Sequence, residues 1–232
     1  MVNIKAIFQK CYEEHRNTLT EFESKQILQE IGIPVTKQEL VDANDASAID
    51  AAKRIGYPVV AKLTVEDISH KSDVGAVKLN LQNENDLRKA VQELQAIKTA
   101  SKLPKISIQE MAKAPVAEVI IGMTTDAQFG AALAFGIGGI LVELMKDVAF
   151  RIAPITKFDA DEMIHEIKGF PLLDGFRGKA KVNLERLVDA LMAISKFVLE
   201  YPEVDQMDLN PVFAYPDGIL AVDARIILKS HA

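Results

Sequence analysis

Near the carboxyl end the chain reads Met207-Asp208-Leu209-Asn210-Pro211-Val212-Phe213-Ala214, then Tyr215-Pro216-Asp217-Gly218, then Ile219-Leu220-Ala221-Val222-Asp223-Ala224-Arg225. Asp-Gly between two apolar runs predicts a β-hairpin. Residues two apart in a strand share a face, so Asp208, Asn210, Asp223 and Arg225 are expected on one side and Leu209, Phe213, Leu220, Val222 and Ala224 on the other. A two-residue turn at Asp217-Gly218 would set Val212 opposite Asp223, with Asn210 diagonal to it. A four-residue turn over Tyr215 to Gly218 would set Asn210 directly opposite Asp223. A three-residue turn would break the match. Two carboxylates and an amide in an otherwise apolar hairpin suit magnesium, which takes one or two carboxylates and completes its shell with water and phosphate. The plainer reading is a wetted outer face with an Asp223–Arg225 ion pair, and pattern alone slightly favours it.

Other residues carry weaker signals. Lys62 lies in the apolar run Pro58-Val59-Val60-Ala61-Lys62-Leu63, where a lysine must meet an anion or snorkel outward. Gly136-Ile137-Gly138-Gly139 could turn backbone amides toward an anion, but it lacks the Walker and dinucleotide spacings and reads more simply as a tight turn. His70 sits in the polar stretch Ile68 to Gly75. It could be a nucleophile or ligand, although a lone histidine argues against zinc and an exposed loop position is the simpler account. Glu110 and Glu118 flank an expected turn at 111–115. A carboxylate there could take ribose hydroxyls or simply face solvent.

The elements that must position these residues follow from periodicity and caps. Helices are expected over 3–15, from Thr20 to Ile31 with Glu23 closing a capping box, from Asn44 or Asp45 to Ile55, from Asn83 or Asn85 to Ala100, over 159–168, and from Asn183 to Glu200. Strands are expected at 35–41, 57–63, 75–81, 106–111, 117–124, 129–135, 141–145 and 149–155, with a polar loop over 64–73 and an irregular, basic-flanked loop over 169–178. Strand runs with intervening helices predict an α+β or mixed α/β protein.

With 232 residues, 49% of them hydrophobic, the chain suffices for one large domain or two small ones. The net charge of −6 argues against nucleic acid as partner. A single cysteine, Cys11, excludes an intrachain disulfide and fits a reducing cytoplasm. The apolar runs are too short to cross a membrane, and the first residues lack the apolar core of a signal peptide.

Taken in order, the stretches Leu19-Thr20-Glu21-Phe22-Glu23-Ser24-Lys25, Pro58 to Lys62, Ser69-His70-Lys71-Ser72-Asp73-Val74-Gly75, Phe135 to Gly139, Glu143, Asp147 to Arg151, Asp208 to Pro211 and Val222 to Arg225 resemble ATP-grasp proteins, and more closely the β subunit of ADP-forming acetyl-CoA (acyl-CoA) synthetases. The last two stretches are also similar to the succinyl-CoA synthetase β subunit. The resemblance implies an ATP-grasp fold with two α+β subdomains over residues 1–232. In that division 20–110 is split across two lobes, and 111–232 forms a C-terminal nucleotide and magnesium lobe. It implies ATP/ADP and Mg2+ as cofactors, with Lys62 on nucleotide phosphate, Gln109, Glu110 and Met111 beside adenine, Glu118 on the ribose, and Asp208, Asn210 and Asp223 on magnesium. His70 is implied as a transient phosphoryl acceptor, Glu143 as its orienting group and Arg151 as a phosphoryl contact. The implied partner is an α subunit with CoA- and acyl-binding domains, in an α2β2 assembly. Succinyl-CoA synthetases differ in carrying glutamate at the place of Asp208, lysine at that of Arg225, and a Gly/Arg-rich loop where this chain has Ile68 to Asp73. Many ADP-forming relatives have glycine where Ala76 stands. Two other functions fit the residues: an ATP-grasp ligase with another acceptor, and a non-catalytic nucleotide sensor.

Overall fold

The structure is a computed structural model that describes residues 2–64, 75–97, 104–139 and 147–230. In chain order the elements are α1 (Ile4–Glu13), α2 (Glu21–Glu30), β1 (Gln38–Asp42), α3 (Asp45–Ile55), β2 (Val59–Thr64), β3 (Val77–Leu81) and α4 (Glu84–Gln95). There follow β4 (Lys105–Glu110), β5 (Ala117–Asp126), β6 (Gly130–Ile137), β7 (Val148–Ile152), α5 (Lys157–Glu166), α6 (Leu184–Glu200), β8 (Val204–Ala214), β9 (Ile219–Ala221) and β10 (Arg225–Leu228). Two 3-10 turns, Phe170–Leu172 and Phe176–Gly178, occupy the expected irregular loop. The expected strand at 141–145 and most of the 64–73 loop lie outside the described residues. Val35, expected to open a strand, makes an isolated bridge to Ala221, and β1 begins at Gln38. Among the described residues no helix is long and apolar enough to cross a membrane.

The chain divides into two compact units, residues 36–113 and residues 1–35 with 114–232. The first is a four-stranded antiparallel sheet in the order β1-β4-β2-β3. Val59, Ala61 and Leu63 alternate into a core with Ile106 and Ile108, against Ala48, Ala52, Leu87, Val91 and Leu94 of α3 and α4. Both helices start at asparagine caps: Asn44 accepts from Ser47 and Asn83 from Asn85 and Asp86.

The second unit is a six-stranded antiparallel sheet in the order β10-β8-β5-β6-β7, with β9 added to β8. Its core joins Val119, Ile121 and Met123 of β5, Leu133 and Phe135 of β6, and Met207 and Leu209 of β8 to apolar stripes of α1, α2, α5 and α6. Both bonds of the Thr20–Glu23 capping box are present at α2. A second capping box, Thr156–Asp159, starts α5 two residues earlier than the periodicity indicates.

Candidate functional site

The hairpin register decides between the alternative turns. Val212 pairs with Ala221, Phe213 with Leu220 and Ala214 with Ile219, leaving a four-residue turn over Tyr215 to Gly218 in which the Tyr215 amide donates to the Gly218 carbonyl at 2.8 Å. Asp208 pairs with Arg225 in that same register, so Asn210 falls opposite Asp223.

The expected faces need one correction. Val119 and Ile121 of β5 pair with Val212 and Leu209 of β8, so β8 carries an extra residue between them. This β-bulge shifts the alternation by one. Met207 and Leu209 are buried before it, and Val212 and Ala214 after it. Phe213 therefore does not share the face of Leu209. It pairs with Leu220 and with Glu118 of β5, all three are only half-buried, and Leu220, between the buried Ile219 and Ala221, likewise leaves the face expected of it.

Asp208 stands opposite Arg225 on one side and Gly122 on the other; Gly122 pairs with Ala134, and Ala134 with Phe150. This row lies on the face away from the core, since Ile121 and Met123 of β5 point inward. Partial burial raises the Asp208 carboxyl above its ordinary range, the Asp223 charge raises it further, and Arg225 opposes the shift. The Asp223 side chain accepts from the Ala224 amide at 2.8 Å. Glu118 is on the outward face too. It lies four residue steps along β5 from Gly122, about 13 Å at ~3.3 Å per residue. Among the described residues no group of three or more His, Cys, Asp or Glu side chains is arranged for a metal. The hairpin set has two carboxylates and one amide, the donor class that magnesium accepts.

Arg151 does not join this face. It pairs with Leu133, a core residue, and its guanidinium donates to Glu166 of α5 at 2.8 Å and to the Phe150 carbonyl at 2.8 Å. Alternation along β7 explains the placement: Phe150 and Ile152 take the outward side and are exposed, while Ala149 and Arg151 face the helices.

In the unit of residues 36–113, Lys62 pairs with Ser107 and Val60 with Gln109. Lys62, Ser107 and Gln109 thus share the face opposite the Ile106–Ile108 core, and all three are buried. Gln109 donates to the Ser107 hydroxyl at 3.1 Å and accepts from the Thr36 hydroxyl at 3.4 Å. The Glu110 carboxylate accepts from the Lys37 amide at 2.8 Å. The Glu110 amide donates to the Lys37 carbonyl and the Met111 amide to the Pro58 carbonyl. His70 and Glu143 lie outside the described residues.

Sequence alone assigns no individual role to Gly122 or Asp147. Gly122, beside Asp208, is an isolated glycine inside a strand, a pattern that signals close approach. Asp147 accepts from the Lys168 and Gly169 amides, at 2.7 Å each.

The ATP-grasp domain model matches residues 10–228. The β subunit of acetate–CoA ligase (ADP-forming) I of Pyrococcus furiosus is 46% identical over 229 residues, 97% of each chain. The β subunit of the II enzyme of that organism is 43% identical, over 96% of this chain and 97% of its own. A solved structure of dinucleotide forming acetyl-coenzyme A synthetase 1 from Ca. Korarchaeum cryptofilum, with coenzyme A, Ca-AMPCP and HgCl+, matches at a TM-score of 0.91 and 41% identity, over 98% of this chain and 100% of that one. Another structure of that protein, with coenzyme A and Mg-AMPPCP and its phosphohistidine segment pointing towards the nucleotide binding site, matches at a TM-score of 0.87 and 42% identity, over 98% and 100% of the two chains. By this likeness over nearly its whole length, the chain belongs to the ATP-grasp family, among the β subunits of ADP-forming acetate–CoA ligases.

Proposed function

We propose that this chain is the nucleotide-handling subunit in the reversible reaction of acyl-CoA, ADP and phosphate to free acid, ATP and CoA. The observation that carries the reading is the outward face of the six-stranded sheet. Asp208, Asn210 and Asp223 follow from one hairpin register, and Glu118 is about 13 Å along the adjoining strand. An extended nucleoside diphosphate or triphosphate covers such a span between its ribose hydroxyls and its terminal phosphates.

In this reading Glu118 accepts from the ribose hydroxyls, and Asp208, Asn210 and Asp223 hold magnesium. Magnesium, when bound, would neutralise charge on the phosphate oxygens. Lys62 acts as a point charge on phosphate, and the Gln109–Met111 segment meets adenine. The amides of Glu110 and Met111 already donate within the fold, so a base would have to meet other backbone groups there. Phosphoryl transfer depends chiefly on positioning and charge stabilisation. Arg151, paired to Glu166 on the helix side, is left out of this set.

A histidine relay completes the proposal. A partner α subunit binds CoA and acyl group and carries a phosphohistidine. Its P–N bond breaks as a new P–N bond forms at His70, with Glu143 orienting the imidazole. An ADP terminal oxygen then takes the phosphoryl group and releases His70. The related structure with a phosphohistidine segment directed towards the nucleotide supports a segment that travels between sites. The assembly is proposed as α2β2. The single cysteine, Cys11, is buried with its thiol donating to the Arg16 carbonyl, and a chain that uses no intrachain disulfide fits a reducing cytoplasm.

The test is co-purification with the α partner, followed by trapping of labelled phosphoryl groups on native protein and on His70→Ala. Acid-labile label on this chain that disappears in His70→Ala, together with loss of ATP formation, is the expected result. Full activity in His70→Ala would point to a ligase with another acceptor. Nucleotide binding without phosphohistidine under any partner condition would leave a sensor module. Thioester formation by the chain alone would contradict the subunit reading.

A further inference from the structure

The proposed chemistry makes no use of the Gly136–Gly139 segment, yet sterics demand glycine there. A Cβ on Gly138 would lie 3.0 Å from the Glu118 carbonyl carbon and 3.2 Å from its Cβ and carbonyl oxygen. The Gly138 amide donates to that oxygen at 2.6 Å. Gly139, at φ +74°, would bring a Cβ to 3.5 Å from Glu118 Oε2. The glycine turn is therefore packed directly on the backbone and carboxylate of Glu118.

The far side of the turn is fastened by Asp147. A Cβ on Gly136 would sit 2.7 Å from the Asp147 carbonyl oxygen. The two Asp147 carboxylate oxygens each accept one amide, Lys168 to Oδ1 and Gly169 to Oδ2, both at 2.7 Å. Bonds to an ionised acceptor are the stronger kind. Gly169 in turn touches Ile137, where a Cβ would come within 2.3 Å of Cγ1. Glu118, the glycine turn, Asp147 and the segment following α5 thus form one continuous chain of close contacts.

We propose that Asp147 is a positioning residue for nucleotide binding, holding the glycine turn against Glu118 and thereby fixing the carboxylate that receives the ribose. The inference rests on the reading of Glu118 as the ribose ligand. Asp147→Asn keeps the size and one acceptor but places an NH2 group where the second amide donates. A purely structural Asp147 would alter stability and leave ribose recognition alone.

The experiment measures binding of ADP and 2′,3′-dideoxy-ADP to the full chain with magnesium, and hydrogen exchange of the 136–139 and 168–169 amides. Wild type should prefer ADP by about tenfold or more, the worth of hydrogen bonds to a charged group. Asp147→Asn should reduce that preference to about twofold or less while binding pyrophosphate as wild type does, and should speed exchange at 136–139 as well as at 168–169. A retained preference, with faster exchange confined to 168–169, overturns the proposal. If wild type and Glu118→Gln both bind the two nucleotides alike, the ribose reading fails separately. Exchange then decides alone: faster exchange at 136–139 in Asp147→Asn upholds the mechanical link, and unchanged exchange there overturns it. Should Asp147→Asn fail to fold, Gly138→Ala, which crowds Glu118 directly, is put through the same measurements: a lost ADP preference upholds the link, and a retained one overturns it.

Discussion

Asp208 of β8 stands directly across from Arg225 of β10, and Arg225 opposes the upward push that burial and the Asp223 charge exert on its carboxyl. Two like charges beside each other cost the fold free energy, which a divalent cation bound there, as proposed, would relieve. If Asp208 holds magnesium as proposed, the electrostatics of this site tie metal binding to pH.

The sign follows from linkage. A carboxyl raised in the folded state keeps its proton where the unfolded chain has released it. Without a divalent ion, stability falls as pH rises from the ordinary value of 3.8 through the raised one, and stays lower above it. Asp208→Asn removes that cost, so its Tm at neutral pH without metal should exceed that of wild type. Wild type should gain Tm with magnesium and ADP and the variant should not, with nucleotide–metal affinity down by about tenfold or more. Arg225→Met should push Asp208 higher still and weaken metal binding increasingly as pH is lowered. Thermal melts with and without magnesium check both, and a lower metal-free Tm in Asp208→Asn would refute the electrostatic account.

Glu23 has the opposite linkage. Burial alone would raise its carboxyl, but the Thr20 amide and the Arg16 guanidinium more than offset this, and the group is held below its ordinary value. The Thr20 amide donates at 2.9 Å and the two Arg16 terminal nitrogens at 3.2 and 3.3 Å. A depressed carboxyl contributes stability that is present above the ordinary range and lost as pH falls through the folded value. Glu23→Gln keeps an acceptor for the Thr20 amide but removes the charge that Arg16 meets, and should cost about 1–2 kcal/mol at pH 7, with the gap to wild type closing under acid. Denaturant midpoints at pH 7 and pH 3 read this out, and a gap that is constant with pH counts against it.

Local signals made much of this structure legible. The Thr20–Glu23 box, the asparagine caps at 44, 83 and 183, and the Asp217-Gly218 turn each satisfy their own neighbours, so a short window of sequence contains the whole cause. The bulge in β8 is different, because the extra residue exists only relative to β5, and Phe213 changes face in consequence. The placement of Arg151 has a similarly non-local cause. Its strand puts Phe150 and Ile152 outward and the arginine inward, which reverses the usual use of alternation and depends on Glu166 fifteen residues away. Asp147 opens a stretch that carries the resemblance, but its structural task could not be read, since its partners are backbone amides at 168 and 169.

Lys25 of α2 is fully buried and pairs with Glu21 one turn earlier at 2.9 Å, in a setting where the glutamate side chain is itself only 5% exposed. Removing one partner of a buried ion pair costs about 3–5 kcal/mol. Lys25→Met should therefore be strongly destabilising, and Glu21→Gln combined with Lys25→Met should recover a good part of the loss. A double-mutant cycle in denaturant measures the coupling. Additive costs would show that the two side chains act through other neighbours.

Lys62 allows the nucleotide reading to be separated from folding. It sits buried on β2 beside Ser107 and Gln109, and a lysine so placed is costly to desolvate. Its use as a phosphate ligand would make the cost functional. Lys62→Met keeps the length of the stem and removes the charge. If the ammonium meets phosphate, affinity for ADP should fall by about tenfold or more, while adenosine, which has no phosphate, binds as in wild type. Lys62→Arg should not restore ADP binding, because a planar fork does not replace a compact point charge in a packed strand. Equal losses for ADP and adenosine would instead show that Lys62 supports the fold of its sheet and has no selective hold on phosphate.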